Sequence, residues 1–139
     1  MPHPTLPVPA IDYIPQRPPI VMIDNILESN DDHFSTDFVI LADNVFVDDG
    51  QFRESGLMEN IAQTCAARVS FCAEDQRVPR GVIGGISKFQ LHALPAVGDR
   101  IVTTIRVVAG IENALVVDAE VHCGDNLCAT SSMKVFISD

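Results

Sequence analysis

The chain has 139 residues, 47% of them apolar, with one Tyr, no Trp and a net charge of −10. That length holds one domain with a real core but not two, and a core of Val, Ile, Leu and Ala is that of a soluble globular unit. The acidic balance argues against general binding to nucleic acid or to anionic membranes. No apolar run is long enough to span a bilayer, and the first ten residues lack the features of a signal peptide, so a cytoplasmic address is expected.

Seven of the nine prolines fall in the first nineteen residues, which predicts an extended N-terminal arm, about residues 1–19 of a single 1–139 domain. Between them Ile11-Asp12-Tyr13-Ile14 suits one short helical turn before Pro15-Gln16-Arg17-Pro18-Pro19 redirects the chain. The β-branched run Ile20–Leu27 predicts a strand, Ser29-Asn30-Asp31-Asp32 a turn, and His33–Leu41 a second strand closing a hairpin. Residues 42–52 read as acidic and irregular, ending in the turn Asp48-Asp49-Gly50, and Ser55 is placed to cap a helix.

The one long stretch of helical periodicity follows. Leu57, Met58, Ile61, Ala62, Cys65, Ala66 and Val69 recur at the spacing of a wide buried face. Glu59 stands at the edge of that face, and Gln63 projects from the next turn in nearly the same direction. A carboxylate among apolar neighbours is costly unless paired or used, although most helical glutamates are simply exposed. Four more apolar stretches, Val82–His92, Arg100–Ala109, Ala114–Cys123 and Leu127–Ile137, are separated by turns and include no second helix. Strand, strand, helix and four strands make an α+β chain in which one helix is covered by one sheet. Small residues at Ala62, Cys65, Ala66 and Ala73 would let a curved antiparallel sheet approach the helix closely.

Charge is unevenly spread. Residues 1–59 carry eleven acids against two bases, whereas residues 60–106 carry three acids against six bases. Within that basic middle Arg68, Arg77, Arg80 and Lys88 are where an acidic partner would dock, if they are more than a solvated surface. Cys65, Cys72, Cys123 and Cys128 lack metal-ligand spacing and are read as reduced core thiols.

Three segments, in this order, resemble the 3-hydroxyacyl-ACP dehydratase family of hotdog-fold proteins from about Ile14 onward. They are Ile14-Pro15-Gln16-Arg17-Pro18-Pro19-Ile20-Val21-Met22-Ile23-Asp24, then Leu57-Met58-Glu59-Asn60-Ile61-Ala62-Gln63-Thr64, then Gly84-Gly85-Ile86-Ser87-Lys88-Phe89 followed by Pro95 and Gly98-Asp99. The resemblance implies a hotdog fold, one central helix wrapped by a curved antiparallel sheet. It implies a homodimer or higher oligomer with sites at the subunit interface. The substrate would be an acyl thioester carried on the phosphopantetheine of an acyl carrier protein, or an acyl-CoA, with no cofactor or metal of the enzyme's own. Water would be eliminated from a 3-hydroxyacyl group in fatty-acid or polyketide-type biosynthesis. Glu59 takes the helix carboxylate role and Gln63 supports it, while Gly84 and Gly85 match the strand that contacts substrate, or else mark a β-bulge.

One departure stands out. The family's catalytic His precedes the helix in a His-Phe-Pro-Gly loop, whereas this chain reads Gly50-Gln51-Phe52-Arg53-Glu54-Ser55-Gly56. Gln51 holds the His position and can hydrogen-bond substrate but cannot act as a base, and Gly56 lies closer to Glu59 than the family's helix-start Gly does. His92 is the best replacement, ahead of His33 and His122; failing these, Glu59 would act alone as base and then acid. Three readings follow: a dehydratase-like enzyme, a hotdog thioesterase using Glu59 alone, or a non-catalytic acyl-ACP-binding subunit of a dehydratase complex.

Overall fold

The structure, a computed structural model, describes residues 4–72, 80–111 and 113–138, without the side chains of 80–83, 111, 137 and 138. The chain runs through β1 (Val8–Pro9), a 3-10 turn (Ala10–Tyr13), β2 (Asn25–Ser29), β3 (His33–Val39), β4 (Val47–Asp48) and β5 (Gln51–Phe52). It continues with α1 (Glu54–Phe71), β6 (Arg80–Leu91), β7 (Arg100–Ile111), β8 (Ala114–Cys123) and β9 (Asn126–Ser138). Seven strands form one antiparallel sheet in the order β1-β2-β3-β7-β8-β9-β6, and β4 and β5 form a separate small hairpin.

Two-residue periodicity decides which face of the sheet meets the helix. Phe34 opposite Ile105, Phe38 opposite Ile101, Val121 opposite Ala129 and Val117 opposite Met133 turn buried side chains inward. From α1, Leu57, Ile61 and Cys65 complete this core, and the helix packs against β3, β6, β7, β8 and β9. Burying each large aliphatic side chain here stabilises the fold by about 1.5–3 kcal/mol. This is the hotdog layout expected from the sequence.

Four local expectations are corrected. Ile20–Asp24 is not strand: its backbone is engaged by side chains of α1, so β2 begins only at Asn25. The helix starts one residue before Ser55, with Arg53 at its N-cap and no side-chain cap; Glu54 in the first turn instead sets a negative charge against the helix dipole. Residues 42–52 are not wholly irregular, since Val47 pairs Phe52 and Asp48 pairs Gln51 across a turn with Asp49 and Gly50 at φ 54° and 74°. The small residues divide: Cys65 is buried, whereas Ala62 and Ala66 are only half-buried, and Ala73 lies outside the described residues.

The lead-in before β2 is fastened at both ends. The Arg17 guanidinium donates to the carbonyls of Ile14 (2.8 Å) and Gln16 (2.7 Å), closing the turn below Tyr13, whose ring meets Phe71 edge-on at 5.1 Å. At the far end Asp24 accepts the Val39 N–H at 2.8 Å, and Asp37 accepts from Asn25 and from Arg100. Partial burial pushes the Asp24 carboxyl above its usual range, the Val39 bond offsets part of that, and the nearby Asp37 charge adds to it.

Candidate active site

Polar side chains gather on the buried side of α1. Asn60, Gln63 and Thr64 are fully buried, and all three are hydrogen-bonded. Gln63 accepts the Met22 N–H at its Oε1 (2.7 Å) and donates from Nε2 to the Ile20 carbonyl (2.8 Å) and to Glu59 Oε1 (2.9 Å). Asn60 donates from Nδ2 to the Met22 carbonyl (2.8 Å) and accepts a short bond from the Thr103 hydroxyl on β7. Thr64 donates to the Asn60 carbonyl and meets Thr36 of β3, each at 2.8 Å. Both backbone groups of Met22 are therefore held by side-chain amides where a strand would otherwise be needed.

This network decides how Glu59 is presented. The Met22 N–H and the Ile20 carbonyl together fix which end of the Gln63 amide is oxygen, so a donor necessarily faces Glu59. One carboxylate oxygen is thereby occupied, and Oε2 of the half-buried Glu59 has no protein partner among the described residues. One positioned oxygen free to accept and return a proton is the chemical capacity of the site.

The loop before the helix is tied down through its backbone. Phe52 N–H donates to Pro95 O (2.8 Å), Val97 N–H to Gly50 O (3.0 Å) and Arg53 N–H to Phe46 O (2.9 Å). Gly56 is required there, because a Cβ would stand 2.5 Å from the Phe52 ring and 2.8 Å from Phe46 Cβ. Gln51 is exposed and makes no side-chain hydrogen bond among the described residues.

The histidines are elsewhere. His92 lies just past β6, exposed, its backbone N–H on Cys128 O at 2.8 Å, and its ring makes no hydrogen bond to Glu59. His33 and His122 stand on strand positions that face away from the helix, as the buried Phe34 and Val121 beside them face toward it. Gly84 sits in a bulge between Ile83 and Gly85, with the Phe136 ring over it where a side chain would be, and Gly85 borders open space. Arg68 is half-buried on the helix with its Nε enclosed and unbonded, whereas Lys88, at φ 54° in a second bulge, lines a trough on the outer face of the sheet. These two cations therefore do not share one surface; Arg77 and the side chain of Arg80 lie outside the described residues. Burial drives the Cys65 thiol up to about 12, which keeps it protonated and unreactive near neutral pH. Among the described residues no group of His, Cys, Asp and Glu is arranged to hold a metal, and no helix is long and apolar enough to cross a membrane.

Asn60 and Thr103 are the members of this site that sequence reading missed. For Asn60 a signal was present, since Asn60, Gln63 and Thr64 repeat at three-and-four spacing along one helix; for Thr103 there was none.

One helix across a seven-stranded antiparallel sheet is the layout of a hotdog protein, here with a half-buried carboxylate on the helix. Residues 8–139 match the ApeP-like family, described as ApeP dehydratase, and the chain belongs to that family. Among solved structures, it is similar to the dehydratase heterocomplex ApeI:P from Xenorhabdus doucetiae, with TM-score 0.81 and 15% identity over 95% of this chain and 92% of that one. It is also similar to PH1136 from Pyrococcus horikoshii (TM-score 0.72, 12% identity, 97% and 96% covered). A hypothetical thioesterase with coenzyme A from Streptococcus pneumoniae TIGR4 is similar too (TM-score 0.68, 13% identity, 81% and 84% covered). No curated protein matches.

Proposed function

We propose that the chain eliminates water from a 3-hydroxyacyl thioester carried by an acyl carrier protein, with Glu59 as the proton-handling group. The observation that carries this reading is the Gln63 bond that holds Glu59 with Oε2 free. With no histidine bonded to it among the described residues, Glu59 works alone. Its carboxylate takes the proton from C2 of the acyl chain, the C3–O bond breaks, and the same proton leaves with the departing hydroxide as water. The enoyl thioester and an unprotonated Glu59 remain, so atoms and charge balance without a cofactor. Such single-group acid–base catalysis supplies roughly 10²–10⁴-fold.

For carrier-protein docking the reading keeps Arg68, on the helix itself, since Lys88 lies on the outer face of the sheet. A dimer fits through β6, a twelve-residue strand at the edge of the sheet with no strand on its outer side among the described residues. The opposite edge, β1, is two residues long and ends in Pro9, which blunts it. A long unprotected edge suits pairing with a second subunit.

The test is turnover of a 3-hydroxyacyl-ACP by the purified chain and by Glu59→Gln, following enoyl formation and free thiol together. The reading expects enoyl product without free thiol, lost by at least about 10²-fold in the variant. Thiol release would identify a thioesterase instead. A second reading is favoured by the exposed, unbonded Gln51: a subunit that binds acyl-ACP and lends structure to a catalytic partner. Activity that appears only when a second dehydratase subunit is added would support it.

A further inference from the structure

The hydroxyl of Ser131 on β9 is enclosed in the protein without a partner. Ser131 is only 5% exposed, and its Oγ makes no hydrogen bond among the described residues. Two-residue alternation turns this side chain toward α1, as it turns Ala129 and Met133 on either side, both buried. Met133 meets Cys65 of the helix through a sulfur contact of 3.5 Å, so this stretch of β9 lies directly beneath α1. Nearly all buried polar groups are bonded, and a hydroxyl that is not carries a standing cost.

Register explains why the neighbouring strands leave it bare. On β8 the residue opposite is Ala119, whose side chain has no polar group. On β6 Ser87 pairs Ser132 and Gln90 pairs Thr130, so Lys88 and Phe89 together stand opposite Ser131. This bulge sends Lys88, at φ 54°, to the outer trough and leaves Phe89 half-buried against the core.

The bulge borders an opening in the apolar core. Glu59, Ala62 and Ala66 follow one another along a single face of α1 and are all half-buried. Across from the helix, Ile86 and Leu91 lie in register with the inward-facing Met133 and Ala129, yet Ile86 is half-buried and Leu91 is 41% exposed. The inner face of β6 is thus incompletely covered by a helix whose facing side chains are small.

We propose that this slot between α1 and β6 takes the acyl chain of the substrate, and that Ser131 is its specificity-determining residue, selecting chains that carry a hydrogen-bonding oxygen remote from the thioester. The proposal rests on the reading of Glu59 as the reacting end of the site. Pockets of this kind are apolar with a few placed polar groups that set specificity. A hydroxyl suits the purpose, since it donates to a carbonyl and either donates to or accepts from another hydroxyl. A plain alkyl chain fills the slot and leaves Ser131 bare. An oxygenated chain supplies the missing partner, and discrimination is strongest where one choice leaves a buried polar group unbonded.

Calorimetric binding of unreactive probes to the full chain tests it. The probes are acyl-pantetheines with an amide in place of the thioester and no hydroxyl at C3, in a series of lengths, each made with a terminal methyl and with a terminal hydroxyl. At the length that reaches Ser131 the hydroxyl chain should bind more tightly than the methyl chain. Ser131→Ala should then weaken the hydroxyl chain about tenfold and leave the methyl chain unchanged. Because no bond within the protein is lost, the variant should keep the wild-type urea midpoint. Equal binding of the hydroxyl chain by wild type and Ser131→Ala at every length overturns the proposal, as does a failure of every probe to bind. So does a lowered midpoint, which would mark the hydroxyl as bonded inside the protein, or an equal loss of both chains. These probes are not turned over, so a chain that binds them as expected but releases no enoyl product refutes the elimination reaction alone.

Discussion

Glu59 and Gln51 flank the start of the same helix in opposite physical conditions. Glu59 is the end of a chain of buried bonds running from Thr103 through Asn60, the Met22 peptide and Gln63, each member fixed by the next. Gln51 sits on a loop whose backbone is tied to Pro95 and Val97 but whose side chain makes no hydrogen bond among the described residues. The difference teaches that this site specifies one atom closely, an oxygen of Glu59, and leaves its neighbour across the helix start unspecified. Catalysis gains from groups held in place before substrate arrives, and by that criterion the helix half of the site is prepared and the loop half is not.

The comparison is broken most directly from the Gln63 side. Gln63→Leu keeps the volume but leaves the buried Met22 N–H without a partner, at about 1–3 kcal/mol, and removes the bond to the part-buried Ile20 carbonyl. The lowered urea midpoint should be accompanied by lost turnover, because Glu59 is no longer oriented. A variant that unfolds earlier yet turns over normally would separate the network from the chemistry.

Gly56→Ala probes the joint between the two halves. Its Cβ has to displace the Phe52 ring, so a loss of about 1–3 kcal/mol in the same urea experiment is expected. A negligible loss would mean that the loop moves aside freely and that its backbone ties hold little.

Gln51→His sharpens the contrast from the loop side by returning the side chain that the dehydratase resemblance expects there. An increase in dehydration of about tenfold, near 1.4 kcal/mol, would mean that the loop already presents this position to substrate. No increase would assign the deficit to the loop's course rather than to its residue.

The smallest effect belongs to Asp24. Its folded pKa lies above the ordinary 3.8, so the carboxyl holds its proton more tightly in the native state than in the unfolded chain. Its contribution to stability is complete below pH 3.8 and disappears as pH rises through the elevated value. Asp24→Asn keeps an acceptor for the Val39 N–H and removes the titration, so the variant should gain on wild type between about pH 3 and 7 in urea midpoints. A constant difference across that range would contradict the assignment.

The sheet and the helix were legible because each obeys a period: β8 matches its expected bounds, and α1 contains the whole apolar face read from Leu57 to Val69. Ile20–Asp24 was misread because β-branched composition reports suitability for a buried extended chain, not the identity of its hydrogen-bonding partner. Here that partner is a pair of amides on α1, and pairing between a strand-like segment and helix side chains has no composition of its own. Ser55 was misplaced because a capping residue one position inside the helix has the same local sequence as one at its start. The site was half legible. Glu59 and Gln63 declared themselves by their spacing, whereas Thr103 joins them only through the register of β7, which depends on contacts far along the chain.

The grip of Asn60 and Gln63 on Met22 carries one more consequence. The helix recognises the peptide group of residue 22 and not its side chain, so the segment is specified by count rather than by identity. Conservative replacements at Ile20, Val21 or Ile23 leave the grip intact. Adding or deleting one residue between the Arg17 turn and the Asp24 anchor would bring the wrong peptide to the two amides. The span from 17 to 24 thus works as a ruler, and its length sets which peptide group the two amides hold.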